Sequence, residues 1–101
     1  MDIIKLEMSE NDIIKAMKSC KFSPIKYLAS RILKEDLHNI DIDKDGIVIW
    51  NNDNSDYICY RYCSEDLDTV SNFIDEWEDY TDNYLDNFNS QPITFCVEAK
   101  K

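Results

Sequence analysis

At 101 residues the chain has room for one hydrophobic core and not for two. Its 44% hydrophobic and 12% aromatic content supports folding despite a formal net charge of −10, which excludes generic disorder. A single glycine excludes a glycine-rich phosphate loop. The charge is unevenly placed. Residues 1–35 carry seven Lys/Arg against five Asp/Glu, residues 36–99 carry two against sixteen, and Lys100 and Lys101 follow. Contact of the second half with DNA, RNA or an anionic membrane is therefore disfavoured. The cysteines, Cys20, Cys59, Cys63 and Cys96, form no CxxC and have no pair of histidines beside them, so reduced thiols are expected instead of a zinc site. The first residues lack the apolar core of a secretory leader and no apolar run is long enough to span a bilayer, which predicts a cytoplasmic protein.

In chain order, Asp2 to Met8 reads as a short strand, with Ile4, Leu6 and Met8 alternating against Lys5 and Glu7. Ser9 offers an N-cap with Asp12 three residues on, opening a short helix through Ile13, Ile14 and Met17. Ser23-Pro24 is a second start signal, and the helix it opens is predicted to reach about Leu37, burying Ile25, Leu28, Ile32, Leu33 and Leu37 while Lys26, Arg31 and Lys34 stay wet. Two helices in the only basic part of the chain, followed by a hairpin, match the order of a winged-helix DNA-binding domain; against that stand a local charge of only +2 and the acidic half beside it.

Asn39 to Trp50 reads as strand, turn, strand around Lys44-Asp45-Gly46, since Asp-Gly between β-branched runs is a hairpin signal. Asn51 to Asp56 is a polar turn. Tyr57 to Cys63 is a further strand, in which either Ile58-Tyr60-Tyr62 or Cys59-Arg61-Cys63 is the buried side. Pro92 to Glu98 closes the chain as a strand with Ile93, Phe95 and Val97 facing one way. Asp41-x-Asp43-x-Asp45-Gly46 matches the first half of a calcium loop, but Asn52 stands where the closing bidentate Glu belongs and a strand replaces the exit helix, so no metal site is expected. The one histidine, His38, has no nucleophile in a recognisable motif beside it, and carboxylates are too abundant to single out an acid and base pair; no catalytic residue or cofactor is expected.

Between the last two strands, Ser64 to Phe88 has the spacing of one long amphipathic helix. Leu67, Val70, Phe73, Ile74, Trp77, Tyr80, Tyr84, Leu85 and Phe88 recur at intervals of three and four, while Asp68, Asp75, Asp79, Asp82 and Asp86 form a stripe on the opposite side, about 27 Å long. Thr81-Asp82-Asn83 is a weak point at which the helix bends or breaks. No Lys, Arg or His occurs between Arg61 and Lys100. A solvated helix ordinarily mixes signs to gain i,i+4 pairs, so a single-sign face points to a positive surface on another protein. The aromatics near Trp77 and Tyr84 suit a core or a dimer contact equally.

Ile49-Trp50-Asn51-Asn52-Asp53, then Tyr57-Ile58, Val70-x-x-Phe73-Ile74, the run Asp79-Tyr80-Thr81-Asp82-Asn83-Tyr84 and a closing Ile93-Thr94 strand resemble the small acidic type II-A anti-CRISPR proteins of Listeria prophages. The resemblance covers residues 47–98. It implies a single α/β domain that occupies the PAM-reading site of a guide-RNA-loaded CRISPR effector nuclease by mimicking DNA, in the cytoplasm of a bacterial host. It also implies contacts through Asn52, Asp53, Asp56, Asp79 and Asp82. Asn54 replaces the glycine of the family's turn, and Asn83 and Leu85 interrupt what is a denser acidic run.

The expectation is therefore one α+β domain over residues 1–101, a small antiparallel sheet of three to four strands packed against two N-terminal helices and one long acidic amphipathic helix. Its partner-binding residues are Asn52, Asp53, Asp56, Asp75, Asp79, Asp82 and Asp86, and its partner is a basic nucleic-acid-binding protein and not nucleic acid or membrane. An acidic immunity or adaptor protein capping some other basic protein is the alternative.

Overall fold

The computed structural model describes residues 3–19, 22–51 and 56–100. Five strands, β1 (Ile3–Glu7), β2 (Ile40–Ile42), β3 (Gly46–Trp50), β4 (Tyr57–Tyr62) and β5 (Thr94–Lys100), form one antiparallel sheet in the order β1-β5-β4-β3-β2. The helices are α1 (Glu10–Ser19), α2 (Pro24–Leu33) and α3 (Leu67–Asp82). The chain is thus α+β, with five strands where three to four were expected. All five strand segments read along the chain join this sheet; what no local pattern specifies is the pairing of the first with the last, β1 on β5.

Register explains where the core sits. Leu6 lies opposite Phe95, Tyr62 opposite Val97, Ile47 opposite Tyr60 and Ile40 opposite Ile49. Side chains alternate across a strand, so all of these emerge on one face. That face forms a single cluster with Ile13 of α1, Ile25, Leu28 and Ala29 of α2, and Val70, Phe73 and Ile74 of α3. The three helices therefore close one side of the sheet. On the other side Lys5, Glu7, Arg61 and Lys100 are exposed, and Cys59, Cys96 and Glu98 half-buried. The choice left open for β4 falls to the Tyr60-Tyr62 side.

Local chemistry fixes the helix starts. Ser9 and Asp12 cap each other reciprocally, Ser9 N–H donating to Asp12 Oδ2 (3.0 Å) and Asp12 N–H to Ser9 Oγ (3.3 Å). Asp12 is buried, and Arg31 of α2 reaches it with Nη2 (2.9 Å) and Nε (3.4 Å) while Nη2 also donates to Glu7 O (3.1 Å). Arg31 is thus not a free surface cation; it ties the end of β1, the start of α1 and the end of α2 together. Ser23 accepts from Lys26 N–H, and Pro24 occupies the first turn of α2. This helix stops at Leu33 instead of Leu37, because Lys34 turns into the left-handed region (φ 59°) and returns its N–H to Ser30 O. Leu37–Asn39 forms a separate 3₁₀ turn capped by Asp36, with the exposed His38 on it.

Between β2 and β3, Asp43 Oδ1 accepts from the N–H groups of Asp45 (2.7 Å) and Gly46 (2.9 Å), and Asp41 Oδ2 accepts from Trp50 Nε1 (2.8 Å). Two carboxylates of the half calcium motif, Asp43 and Asp41, therefore work as turn and cross-strand acceptors. Gly46 is not in a positive-φ conformation. Its constraint is contact: a Cβ there would collide with the carbonyl oxygen of Tyr60 on β4. Gly46→Ala is expected to lower the free energy of unfolding by about 1–3 kcal/mol, measured by urea denaturation, because the backbone it would strike cannot yield as a side chain would.

Tyr62 anchors the same end of the sheet. It is buried, its ring meets Phe95 edge-on at 5.5 Å, and its hydroxyl donates to Asp43 O (2.9 Å). Burial, then the charges of Asp43 and Asp45, push its phenol well above the usual tyrosine range. The folded state thus favours the neutral phenol. That contribution is complete below about pH 10, where an unfolded tyrosine stays neutral, and is lost as pH rises beyond it. Tyr62→Phe is expected to cost about 1 kcal/mol at neutral pH and to flatten the fall of stability above about pH 10, as read from denaturation curves across the alkaline range.

Candidate partner-binding surface

The long acidic element is shorter than its periodicity indicated. A 3₁₀ turn covers Ser64–Asp66, α3 runs from Leu67 to Asp82, and Asp86 lies beyond it in an exposed loop. Val70, Phe73, Ile74 and Trp77 are buried, and Asp68, Asp75, Asp79 and Asp82 stand exposed on the opposite side. The helical stripe is about 21 Å long as a result, since Asp86 no longer continues it.

The helix end has an identifiable cause. Asn83 folds its side chain back, Nδ2 donating to Asp79 Oδ1 (2.6 Å) and Asp79 O (3.1 Å). Leu85 N–H closes a six-to-one bond on Tyr80 O (3.1 Å), and Tyr84 between them takes the left-handed conformation (φ 51°). Tyr84 and Leu85 were expected in the core; Tyr84 is 91% exposed and Leu85 45%. The turn reverses the chain before either can reach the interior. Phe88 does return, packing its ring on Trp77 (5.2 Å), Phe73 (5.4 Å) and Tyr80 (5.5 Å).

Charge is arranged against the helix. Asp79 and Asp82 sit in the last turn, where the macrodipole is negative, and no base is there to offset it. One neutralising contact arrives from elsewhere: Lys44 Nζ in the β2–β3 turn meets Asp75 Oδ1 at 2.5 Å, with both side chains more than half exposed. The hydrogen bond to Asp75 raises the Lys44 pKa. Asp75 is therefore partnered, which sequence spacing gave no means of seeing. Asp79, Asp82 and Asp86 have no ion pair among the described residues.

Other expected site residues are not gathered here. Asn52 and Asp53 lie outside the described residues. Asp56 is exposed; its carbonyl accepts from Asn51 N–H (3.0 Å) and its Oδ1 from Tyr57 N–H (2.8 Å). Beside it Trp50 and Tyr57 pack at 5.0 Å. This is the end of the β3–β4 hairpin remote from Lys44 and Asp75, so Asp56 and the α3 carboxylates are separated by the length of the hairpin.

Two features escaped the sequence reading. Glu76 is exposed on α3 and, with Asp79, lines a groove of about 590 Å³ between the helix and the returning segment 85–93, whose apolar lining includes Phe73, Leu85, Phe88 and Ile93. The signal was present, as Glu76 lies three residues from both Phe73 and Asp79. Cys63 and Cys96 meet at the end of the β4–β5 ladder, Cys63 N–H donating to Cys96 O (2.9 Å), while Asp66 Oδ2 accepts from Cys96 N–H (2.9 Å). Burial, followed by Cys96 and the nearby Glu65, Asp66 and Glu98, raises the Cys63 thiol pKa, which disfavours the reactive thiolate.

Among the described residues no helix is long and apolar enough to cross a membrane, and no three His, Cys, Asp or Glu side chains converge as a metal-binding group. No family model matches the chain, and no curated protein or solved structure matches it.

Tyr84→Gly is expected to raise stability by about 1 kcal/mol, because glycine takes the left-handed position without the Cβ penalty. Asp82→Asn is expected to add about 0.3–1 kcal/mol by relieving the helix end. Thermal unfolding of both variants checks this; a fall in midpoint for either would contradict the reading of the α3 terminus.

Proposed function

We propose that this protein is an inhibitor that binds a basic nucleic-acid-binding protein and covers its DNA site, with the end of α3 as the main contact. The observation that carries the reading is the set of exposed carboxylates at and just past the end of α3, none with an ion pair among the described residues: Asp79 and Asp82 in the last turn, where they oppose the helix dipole, and Asp86 in the loop beyond. A residue set that opposes folding is best understood through what it binds. DNA presents one phosphate per about 3.4 Å along each strand, and a row of carboxylates offers a comparable line of charge to a protein cleft built for it.

The resemblance to type II-A anti-CRISPR proteins names the partner class as a guide-RNA-loaded CRISPR effector nuclease and the site as its PAM-reading cleft. Arginines that pair bidentately with guanine edges can donate the same two N–H bonds to a carboxylate. Such an inhibitor acts in the cytoplasm of a bacterial host and needs no catalytic residue, metal or cofactor. Asp56, at the other end of the hairpin, serves as a second contact in this reading, with Asn52 and Asp53 expected beside it from the resemblance, together with Asp75 once Lys44 is displaced. The apolar lining of the groove beside Asp79 favours a protein as the occupant and keeps a basic toxin or host factor as the competing partner.

The Asp79→Lys/Asp82→Lys double variant is expected to lose inhibition of target cleavage while its thermal midpoint stays at or above that of the wild type. Undiminished inhibition would remove the α3 end from the interface. Binding of the wild type is also expected to weaken steeply with added salt, as charge-steered association does.

A further inference from the structure

The groove between α3 and segment 85–93 has two kinds of wall. Its apolar side is fixed by packing: Phe88 is held edge-on by Phe73 and Trp77 and leans on Tyr80, with Leu85 and Ile93 beside it. Its polar side carries Glu76 and Asp79 one helical turn apart. The Glu76 carboxylate has no hydrogen bond or ion pair among the described residues, and the Asn83 amide on Asp79 Oδ1 orients that carboxylate while leaving Oδ2 open. At about 590 Å³ the groove is within the range of ~300–1,000 Å³ typical of ligand pockets, more than one side chain occupies.

An occupant must cover aromatic and aliphatic surface and bring positive charge to two carboxylates that lack it. A lysine ammonium is a compact, strongly hydrated charge and gains little from the aromatic wall. A guanidinium is planar and weakly hydrated, stacks on aromatic faces, and presents paired N–H donors to a carboxylate. Its three-carbon stem lies along apolar surface. We infer that this groove is a socket for a short arginine-bearing segment of the basic partner, with Glu76 and Asp79 receiving the guanidinium and Phe88 backing it. The inference rests on the proposed function only for the statement that the partner is a basic protein. The socket itself belongs to the chain and is testable without that partner.

The test is a ¹⁵N NMR titration of the full chain with the capped tripeptide Ala-Arg-Ala, alongside its lysine and citrulline counterparts. Saturable shifts centred on the amides of Glu76, Asp79, Leu85 and Phe88 are expected. The arginine peptide should bind at least fivefold tighter than either counterpart. Glu76→Gln should weaken it at least fivefold, and Glu10→Gln, on α1, by less than twofold. Shifts spread along all of α3 without saturation, equal binding of the lysine peptide, or an unchanged affinity in Glu76→Gln would overturn the socket. The two readings separate cleanly. If Asp79→Lys/Asp82→Lys abolishes nuclease inhibition but Glu76→Gln alters neither inhibition nor peptide binding, the acidic inhibitor stands and the socket falls. If the arginine peptide seats in the groove and the nuclease is not bound, the socket stands and the nuclease as partner falls.

Discussion

Burial of one face of the sheet, and only one, is the constraint on which the rest of this molecule depends. Leu6, Phe95, Val97, Tyr62, Ile47, Ile49 and Ile40 all project to the same side, so each of the three helices packs there. β4 and β5 are antiparallel neighbours, which requires the chain between them to leave and return at one end of the sheet. Residues 63–93 do so as a helix outward and an irregular segment back. The groove lies between the two limbs, and the acidic residues line the outer side of the first. The position of the candidate surface is therefore a consequence of strand order.

Within that frame the end of α3 bears arrangements that folding alone does not favour. Carboxylates crowd the negative pole of the helix, a tyrosine holds a backbone conformation that glycine adopts more easily, and that tyrosine is almost wholly in water. Elsewhere the chain is economical. Its buried Asp12 is both a helix cap and the partner of Arg31, its one glycine stands where a Cβ would meet backbone, and no buried side-chain polar atom among the described residues lacks a hydrogen bond. The contrast between a well-satisfied interior and a crowded acidic terminus is the ground on which that terminus is proposed as the interface.

Much of this was legible in the residues. Both N-terminal helix starts follow from Ser9 with Asp12 and from Ser23-Pro24, since capping is local chemistry, and the alternation of Phe95 and Val97 fixed the inner face of β5. What spacing could not supply was tertiary. The cation that meets Asp75 is Lys44, thirty-one positions earlier in the sequence and brought there by the hairpin. Periodicity carried the acidic helix to Phe88, because a hydrophobic repeat does not register a cap; the weak point read at Thr81-Asp82-Asn83 is where it ends, closed by Asn83 and the left-handed Tyr84. The Asp-Gly pair located the β2–β3 turn correctly but did not say why glycine is needed there. The neighbour of Gly46 across the sheet, not its own φ, demands glycine. Asp56 was grouped with the α3 carboxylates, and the hairpin holds it at the far end.

The proposed function requires that this chain and DNA compete for one positive surface. The direct measurement is displacement: a fluorescently labelled PAM-containing duplex bound to the guide-loaded nuclease, with anisotropy followed as the protein is added. The account predicts complete, stoichiometric loss of the bound duplex at low salt, with the protein's potency falling as salt is raised. A ternary complex in which duplex and protein are bound together would contradict it.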